Sequence, residues 1–236
     1  MNRVAILQSN YIPWKGYFDL IGAVDVFVLY DDMQYTKNDW RNRNKIKTAQ
    51  GVQWLTIPIR GKFTQKINQT QIFEKRWAEK HLKSLEFNYK RSVYFDDIFP
   101  WLEKLYLEAG KLELLSQINF LFIKEICKRI GICTKLIDSR QFKIEGTKSH
   151  ALISILKQIK EIDSYLSGPS AKDYLDEDIF TKENIKVNWM DYNGYPEYRQ
   201  LYLPFVHEVS ILDLFFNEGR NAPAFLKSMN QNCKMK

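Results

Sequence analysis

The sequence predicts an α/β protein with a mostly parallel sheet, flanking helices and a helical insertion at about residues 74–130. Short runs of consecutive apolar residues occur near both ends of the chain, as is typical of strands buried on both faces of a parallel sheet. These runs alternate with segments of helical periodicity, and neither end has enough strands to form a sheet alone. We therefore expect a single α/β domain over residues 1–236, with an N-terminal βαβ part at 1–60 and a C-terminal α/β part at 134–220.

The N-terminal part reads as strand, helix and strand. Residues 3–8 (RVAILQ) are a compact aliphatic run that predicts a buried strand. Pro13 marks a favoured helix start, and apolar residues on helical spacing follow it. Residues 25–32 (DVFVLYDD) repeat the strand pattern. Ligands of such sheets bind at the carboxyl ends of strands, so we expect residues 8–11 and 31–35 to face the site.

The segment after this unit is polar and basic. Residues 36–50 contain five Lys or Arg residues and one Asp. A strand pattern at 52–59 follows Gly51, and residues 60–72 predict a mobile loop or an edge strand.

Helical periodicity dominates the middle of the chain, in three stretches at 74–90, 96–109 and 112–130 that end at Gly131. Sheet elements then resume, and the tail after Pro223 is expected to fray. The C-terminal pattern predicts strands at 134–140, 163–168 and 185–192 and helices at 150–160 and 171–180.

The composition excludes several classes of protein. With 45% hydrophobic and 14% aromatic residues but only 10 Gly and 7 Pro, the chain is neither disordered nor collagen-like. Three cysteines without a CxxC pair support neither a disulfide framework nor a four-cysteine zinc site. The N-terminus lacks a signal-peptide pattern and no window of 18 residues is apolar throughout. We therefore expect a cytoplasmic protein without a membrane span.

The charge and the missing motifs restrict the ligands. A net charge of +7 favours anionic partners such as phosphates, nucleotides, nucleic acid or acidic lipid. The chain has three histidines, none within five residues of another, which excludes H-x-H and HExxH zinc motifs, and no metal site is expected. GxGxxG and GxxxxGK[ST] sequences are also absent, so the familiar dinucleotide and P-loop modes are excluded.

Two adjacent acids, Asp31 and Asp32, end the second predicted strand. Successive strand residues point to opposite faces, so at most one of them faces a pocket unless the strand has already ended. A carboxylate here could orient a sugar hydroxyl, act as a general base towards an amine or hold a metal. The alternative is structural, as a cap or a salt bridge to Arg41 or Arg43.

The basic segment combines Arg43 with Trp40, a pair suited to a nucleobase and a phosphate. The same composition fits single-stranded nucleic acid, which we regard as the weaker interpretation because no RNA-binding signature is present. His81 lies in a predicted helix and is either a general base projecting towards the strand ends or a half-buried helix residue. Ser167 and Gly168 follow a predicted strand and form either an anion site or an ordinary turn.

At these residues the chain closely resembles the WbqC-like family. The family's opening pattern Q-x-x-Y-x-P-W-x-G-Y-F matches from Gln8, and its D-D-x-Q-Y and W-x-N-R-N segments match from Asp31 and Trp40. Further matches are a His within a helix at 81, the LSG-x-S segment around 166, and PFVHEVSILDLFFNEG at 204–219. The resemblance covers nearly the whole chain and is most specific in its first 60 residues.

The family is associated with bacterial O-antigen and capsule gene clusters. The resemblance therefore implies that the protein modifies amino sugars by acyl or aminoacyl transfer, for example by transfer of a glycyl group. We therefore expect an N-acyl- or aminoacyltransferase whose substrate is a nucleotide-linked amino sugar and whose donor is an acyl-CoA or an aminoacyl compound. The expected catalytic residues are His81, Asp31 and Asp32. The expected substrate-binding residues are Gln8, Tyr11, Trp14, Gln34, Trp40, Asn42, Arg43, Ser167 and Asp213.

Two alternatives stay open on the sequence alone. One is a nucleotidyltransferase-like enzyme, which would turn over nucleoside triphosphates with Mg²⁺. The other is a non-catalytic protein that binds a sugar nucleotide or RNA, with tRNA retained as a partner to test.

Overall fold

The structure is a computed structural model that describes residues 2–61 and 64–232. Its strands are β1 (Asn2–Leu7), β2 (Val26–Leu29), β3 (Arg43–Thr48), β4 (Gly51–Thr56), β5 (Ile59–Arg60), β6 (Gln71–Ile72), β7 (Lys135–Asp138), β8 (Ile162–Ser167) and β9 (Lys186–Trp189). Its α-helices are α1 (Lys15–Gly22), α2 (Trp77–Tyr89), α3 (Phe95–Ala109), α4 (Leu115–Ile130), α5 (Lys148–Leu156), α6 (Glu177–Lys182), α7 (Ile211–Glu218) and α8 (Lys227–Asn232).

Five strands form a parallel sheet in the order β7-β2-β1-β8-β9, which takes strands from both ends of the chain. Both faces of this sheet are covered, as the alternation along β1 demonstrates. Val4 and Ile6 belong to a hydrophobic cluster that includes Leu156 of α5 and Phe180 of α6. Ala5, between them, belongs to a larger cluster that includes residues of α1 and α4. The predicted α/β class with a mostly parallel sheet is therefore confirmed.

The strand order contains a reversal between β1 and β8. From β1 the chain runs to β2 and later to β7 on one side, and it then returns to the other side of β1 with β8 and β9. In open α/β sheets, ligands bind in the crevice outside the carboxyl ends of the strands at such a switch point. Residues that follow β1 and β8 therefore border the place where a ligand is expected.

Helices α2, α3 and α4 occupy the segment that was predicted as a helical insertion. In α4, Ile118, Phe122 and Ile126 recur every four residues, and all three are buried. The helix ends at Gly131, whose φ of 87° gives the left-handed cap that glycine adopts without strain. Helical periodicity was thus a sufficient signal for this part of the chain.

A hairpin replaces the single strand predicted at 52–59. Strand β3 pairs antiparallel with β4 across a turn that ends at Gly51, which has a φ of 112°. The basic residues of β3 concealed its alternation, because Lys47 is as buried as Ile46. The Lys47 ammonium donates to the carbonyl of Pro204 at 2.6 Å, which satisfies a charge that would otherwise be costly to bury.

The segment predicted at 60–72 as a mobile loop or an edge strand contains β6, which pairs antiparallel with β5, and residues 62–63 lie outside the described part. The tail is helical rather than frayed up to residue 232: Leu226 is fully buried, and the Ser228 N–H donates to Asp19 at 2.6 Å. Residues 233–236 lie outside the described part of the chain.

Candidate functional site

The loop after β1, residues 8–14, leaves the sheet at the switch point and is called the β1 loop below. The Asn44 side-chain amide donates to the carbonyls of Tyr11 at 3.1 Å and Ile12 at 2.8 Å. The Tyr11 N–H donates to the carbonyl of Trp40 at 3.0 Å. Ile12 has a φ of 38°, which is rare for a β-branched residue. The hairpin therefore holds the β1 loop in a conformation that it would not keep alone.

Asp31 is buried beside the start of this loop. Its Oδ1 accepts a hydrogen bond from the Ser9 N–H at 2.8 Å. Burial raises the pKa of Asp31, while hydrogen bonds from Ser9 and the charge of Arg41 act to lower it. From α4, the Asn119 amide donates to Ser9 Oγ and to the Arg41 carbonyl, both at 2.9 Å. A carboxylate with a raised pKa and fixed neighbours is suited to accept a proton.

Arg41 adds a nearly buried positive charge to this cluster, with 13% of its side chain exposed. Its guanidinium donates to the Ser9 carbonyl and to Asn10 Oδ1, and its Nη2 lies 3.7 Å from an Asp39 carboxylate oxygen. The Arg41 Nε is buried without a hydrogen-bond partner among the described residues. Such buried orphan donors are rare, so the chain leaves this guanidinium incompletely satisfied.

Asp32 lies at the same edge of the sheet but has different partners. Its Oδ2 accepts from the Ser139 hydroxyl at 2.8 Å, and its Oδ1 lies 3.3 Å from the Lys66 ammonium. Both carboxylate oxygens are therefore engaged. The prediction that the two acids end a strand is wrong, because β2 ends at Leu29 and both acids lie in the turn that follows it.

His81 is enclosed between the β1 loop and the helical insertion. Its Nε2 lies 3.2 Å from the Thr56 carbonyl, which can only accept, so the neutral ring carries its proton on Nε2. Nδ1 then accepts from the Tyr11 hydroxyl at 2.8 Å, and Tyr11 in turn accepts from Tyr106 at 2.7 Å. Burial lowers the pKa of His81 to about 4. Both ring nitrogens are engaged in a buried relay that anchors Tyr11.

This lowered pKa predicts acid sensitivity. His81 titrates near 6.5 when unfolded and near 4 when folded, so its contribution to stability is complete above pH 6.5 and is lost as the pH falls towards 4. We expect wild type to lose about 3 kcal/mol more unfolding free energy than His81→Gln between pH 7 and pH 4, measured by urea denaturation. The raised pKa values of Asp31 and Asp213 make the folded state more stable as the pH falls, which is the opposite effect. These two acids are present in wild type and in His81→Gln, so their effect cancels in the comparison. Parallel pH profiles for the two proteins would contradict a buried neutral His81.

The hairpin presents aromatic rings together with positive charges. The rings of Trp40 and Trp54 lie 5.3 Å apart and are 37% and 38% exposed. The Arg43 guanidinium lies 4.1 Å from the centre of the Trp54 ring, and the Lys45 ammonium lies 5.2 Å from Trp54 and 5.6 Å from Trp40. These four residues are called the Trp platform. Its Trp rings could stack on a nucleobase, and its two cations could bind a phosphate attached to that base.

A cavity of about 180 Å³ lies between the β1 loop and the hairpin. Trp14 forms one wall and packs back over Gly16, where an added Cβ would lie only 2.3 Å from the indole ring. The Trp14 ring also contacts Tyr192, with ring centres 5.4 Å apart. An added Cβ on Gly168, the residue after β8, would lie 3.8 Å from the Tyr192 hydroxyl. The Tyr192 side chain therefore lies near both the wall of the cavity and the residue after β8. The cavity is lined by Asn10, Pro13, Trp14, Trp40, Asn44 and Glu208.

The remaining residues that the sequence nominated lie in several places. Gln8 and Ser167 flank the switch point at the carboxyl ends of β1 and β8, and the Gln8 carbonyl accepts from the Tyr17 hydroxyl at 2.9 Å. Gln34 is exposed and forms an isolated bridge with Lys66.

Asn42 and Asp213 lie away from this edge, among buried side chains. Asn42 accepts from the Tyr35 hydroxyl at 2.9 Å and donates to the Ile57 carbonyl at 2.8 Å. Asp213 is buried at the start of α7 and accepts three hydrogen bonds, from Tyr89, Tyr198 and Gln200. The hydrogen bonds of both residues therefore connect separate segments of the buried core.

The sequence did not indicate Asn44, Asn119 or Glu208 as site residues, and it offered Arg41 only as a partner for the two acids. Ser9 and Asn10 fall in the segment 8–11 that was expected to face the site, without a role of their own. The others had no local signal, because Asn119 lies on an apolar helix and Glu208 stands far from the β1 loop along the chain. Their proximity to the β1 loop depends on tertiary packing.

The described residues contain neither a cluster of potential metal ligands nor a helix that could span a membrane. In residues 2–61 and 64–232, no three His, Cys, Asp or Glu side chains come together as a metal ion would require. Over the same residues, no helix has both the length and the apolar character needed to span a membrane.

Comparisons with known proteins identify the family. The model of the WbqC-like protein family matches residues 8–225. A Mycobacterium tuberculosis (strain ATCC 25618 / H37Rv) protein named "Uncharacterized protein Rv1507c" is 48% identical over 233 residues, covering 98% of this chain and 100% of the relative. No solved structure matches the chain. The motifs around the β1 loop, the family match and this full-length relative together show that the chain belongs to the WbqC-like protein family.

Proposed function

We propose that the protein transfers an acyl or aminoacyl group, for example glycyl, to the amino group of a nucleotide-linked amino sugar during synthesis of bacterial O-antigen or capsule. The observation that carries the proposal is the strand reversal at β1 and β8, because ligands of open α/β sheets bind at such a point and the buried Asp31 accepts a hydrogen bond from Ser9, two residues after β1. Membership in the WbqC-like family is consistent with it.

The Trp platform supports the nucleotide part of this substrate. Trp40 and Trp54 offer exposed ring faces, and Arg43 and Lys45 bring positive charge to the same surface. Stacking on an aromatic ring is worth about 1–3 kcal/mol per base, and cations attract the diphosphate. Since Trp40 also lines the cavity, a ligand can contact the platform and the cavity together.

Acyl transfer to an amine requires a proton acceptor. The amine nitrogen bonds to the carbonyl carbon of the donor, the bond from that carbon to the leaving group breaks, and the nitrogen loses one proton, which a base takes up and passes to the leaving group. We assign the base to Asp31, whose pKa is raised by burial. Asp32 has both oxygens engaged and His81 has both nitrogens engaged, so each is better suited to positioning.

The proposal is tested by mass spectrometry of reactions that contain the purified protein, UDP- or dTDP-linked amino sugars, and acetyl-CoA or a glycyl donor. We expect a product heavier than the sugar nucleotide by one acyl or glycyl group. We also expect the sugar nucleotide to stabilise the protein, by about 2.7 kcal/mol at a hundredfold excess over Kd. Turnover of ATP with Mg²⁺, or stabilisation by tRNA alone, would instead favour one of the alternatives.

A further inference from the structure

We propose that the cavity between Trp14 and Trp40 is a recognition site for a protonated primary amine, with Glu208 as its counter-ion. This inference rests on the proposed function for the choice of ligand. It adds a substrate-binding residue, Glu208, and a subsite within the larger ligand crevice. Four features of the cavity support it: its aromatic walls, the Glu208 carboxylate, the side-chain amide of Asn10 and the volume.

The walls favour an organic cation. Two indole rings, Trp14 and Trp40, line the cavity together with Pro13. The faces of Trp rings attract ammonium groups more strongly than those of the other aromatic residues. Aromatic walls with few polar groups are also the usual lining of small-molecule sites.

The carboxylate gives the cavity its charge preference. Glu208 is the acid among the lining residues, and its side chain makes no ion pair or hydrogen bond to another described residue. The backbone that follows Glu208 is fixed to both sides of the cavity, because the Ser210 N–H donates to the Lys45 carbonyl at 2.8 Å and the Ile211 N–H donates to Pro13 at 3.0 Å. The exposed Glu208 side chain therefore brings a carboxylate to the wall of the cavity.

The amides complete the site and show how it is kept open. The Asn44 side-chain amide donates to two carbonyls of the β1 loop and thereby helps to fix the shape of the cavity. Asn10 accepts from Arg41 through its Oδ1, which leaves its NH₂ group as a donor without a partner among the described residues. A ligand with a hydroxyl or carbonyl oxygen next to its amine would match this donor.

The volume and the surrounding charges define what fits. A volume of about 180 Å³ is below the usual range of about 300–1,000 Å³ for ligand pockets. The cavity therefore suits one part of a substrate, such as a sugar ring or an aminoacyl group, with the rest of the molecule outside it. Lys45 and Arg43 on the Trp platform would repel a lone ammonium but attract a diphosphate. The arrangement therefore suits a molecule that carries an ammonium group and an anionic group together.

Two molecules of the proposed reaction carry such an amine: the acceptor amino sugar and the aminoacyl donor, through its α-amino group. If the ligand of the cavity is the acceptor, its ammonium group releases one proton to water before the nitrogen attacks, and the proton lost as the amide forms goes to the base. Calorimetric titrations distinguish the two molecules. UDP-glucosamine is compared with UDP-glucose, which lacks the amine, and glycinamide is compared with acetamide. Each titration is repeated with Glu208→Gln and with the control Glu197→Gln, an exposed acid of the same segment that does not line the cavity.

We expect the amine-bearing member of at least one pair to bind wild type about tenfold more tightly than its partner, and Glu208→Gln to abolish that difference while Glu197→Gln preserves it. Loss of the difference with UDP-glucosamine identifies the acceptor amine, and loss with glycinamide identifies the donor. The proposal is overturned if Glu208→Gln leaves the affinity difference within both ligand pairs unchanged, or if Glu197→Gln abolishes that difference as well. UDP-glucose binding that persists in Glu208→Gln would show that the nucleotide part of the proposed function survives such a failure.

Discussion

Replacing Asp31 with Asn is expected to lower kcat for acyl transfer by about 10²–10⁴-fold, because general-base catalysis contributes a factor of this size. The substitution keeps the size of the side chain and an oxygen that can accept from the Ser9 N–H. It removes the one property that the mechanism needs, which is a carboxylate able to take a proton. The measurement is the initial rate at saturating sugar nucleotide, and KM should change less than kcat.

The neighbouring acid is the control for this prediction. Asp32→Asn loses the ion pair with the half-exposed Lys66, which is 3.3 Å away, and keeps an oxygen for the Ser139 hydroxyl. Partly exposed ion pairs contribute about 0–1 kcal/mol, so a modest change in rate and stability is expected. A near-wild-type rate for Asp31→Asn, or a larger loss for Asp32→Asn, would show that the base has been assigned to the wrong residue.

Replacing Asp213 with Ala is expected to cost about 4 kcal/mol of unfolding free energy, the range for removing one partner from a buried charged network. Asp213 accepts from Tyr89 at 2.8 Å, from Tyr198 at 2.7 Å and from Gln200 at 2.8 Å. The charge of Lys47, also buried, acts to lower the pKa of this carboxylate. Truncation leaves the buried hydroxyls of Tyr89 and Tyr198 without this acceptor and removes the negative charge that offsets the buried Lys47. Urea denaturation gives the value.

A surface acid provides the comparison. Asp97 pairs with Arg129 at 2.8 Å but is 59% exposed, so Asp97→Ala should cost less than 1 kcal/mol. Equal losses from the two substitutions would mean that Asp213 contributes no more than an ordinary surface ion pair. Kinetics of the folded fraction of Asp213→Ala also test the predicted substrate-binding role, since that role requires a raised KM and a structural role does not.

The fold was largely predictable from the sequence because its strongest signals are local. The apolar run of β1 reflects burial on two faces, and the four-residue spacing of Ile118, Phe122 and Ile126 reflects one buried helix face. Strand β3 was hidden because Lys47 reads as a surface residue, although it finds a carbonyl acceptor more than 150 positions away, at Pro204. Local pattern cannot report a partner at that distance.

The candidate site was predictable only in part, for the same reason. The acids and Trp40 were nominated because the ends of predicted strands are informative positions. Asn119 lies on α4 and Glu208 lies in the segment before α7, and no spacing rule connects them to residue 9 or residue 14. His81 was correctly placed on a helix, yet its engagement with Tyr11 and Tyr106 depends on how that helix packs.

The order of strands in the sheet also sets when the site can exist during synthesis. The ribosome releases β1 and its loop first, but the other side of the crevice, β8, follows more than 150 residues later, and Glu208 emerges later still. A nascent chain that has already completed β1, β2 and the helices therefore has half of a crevice and an unclosed cavity. On the proposed function, substrate capture must wait until Glu208 has emerged, so a chain that terminates before this residue lacks the candidate site even when its sheet centre has formed.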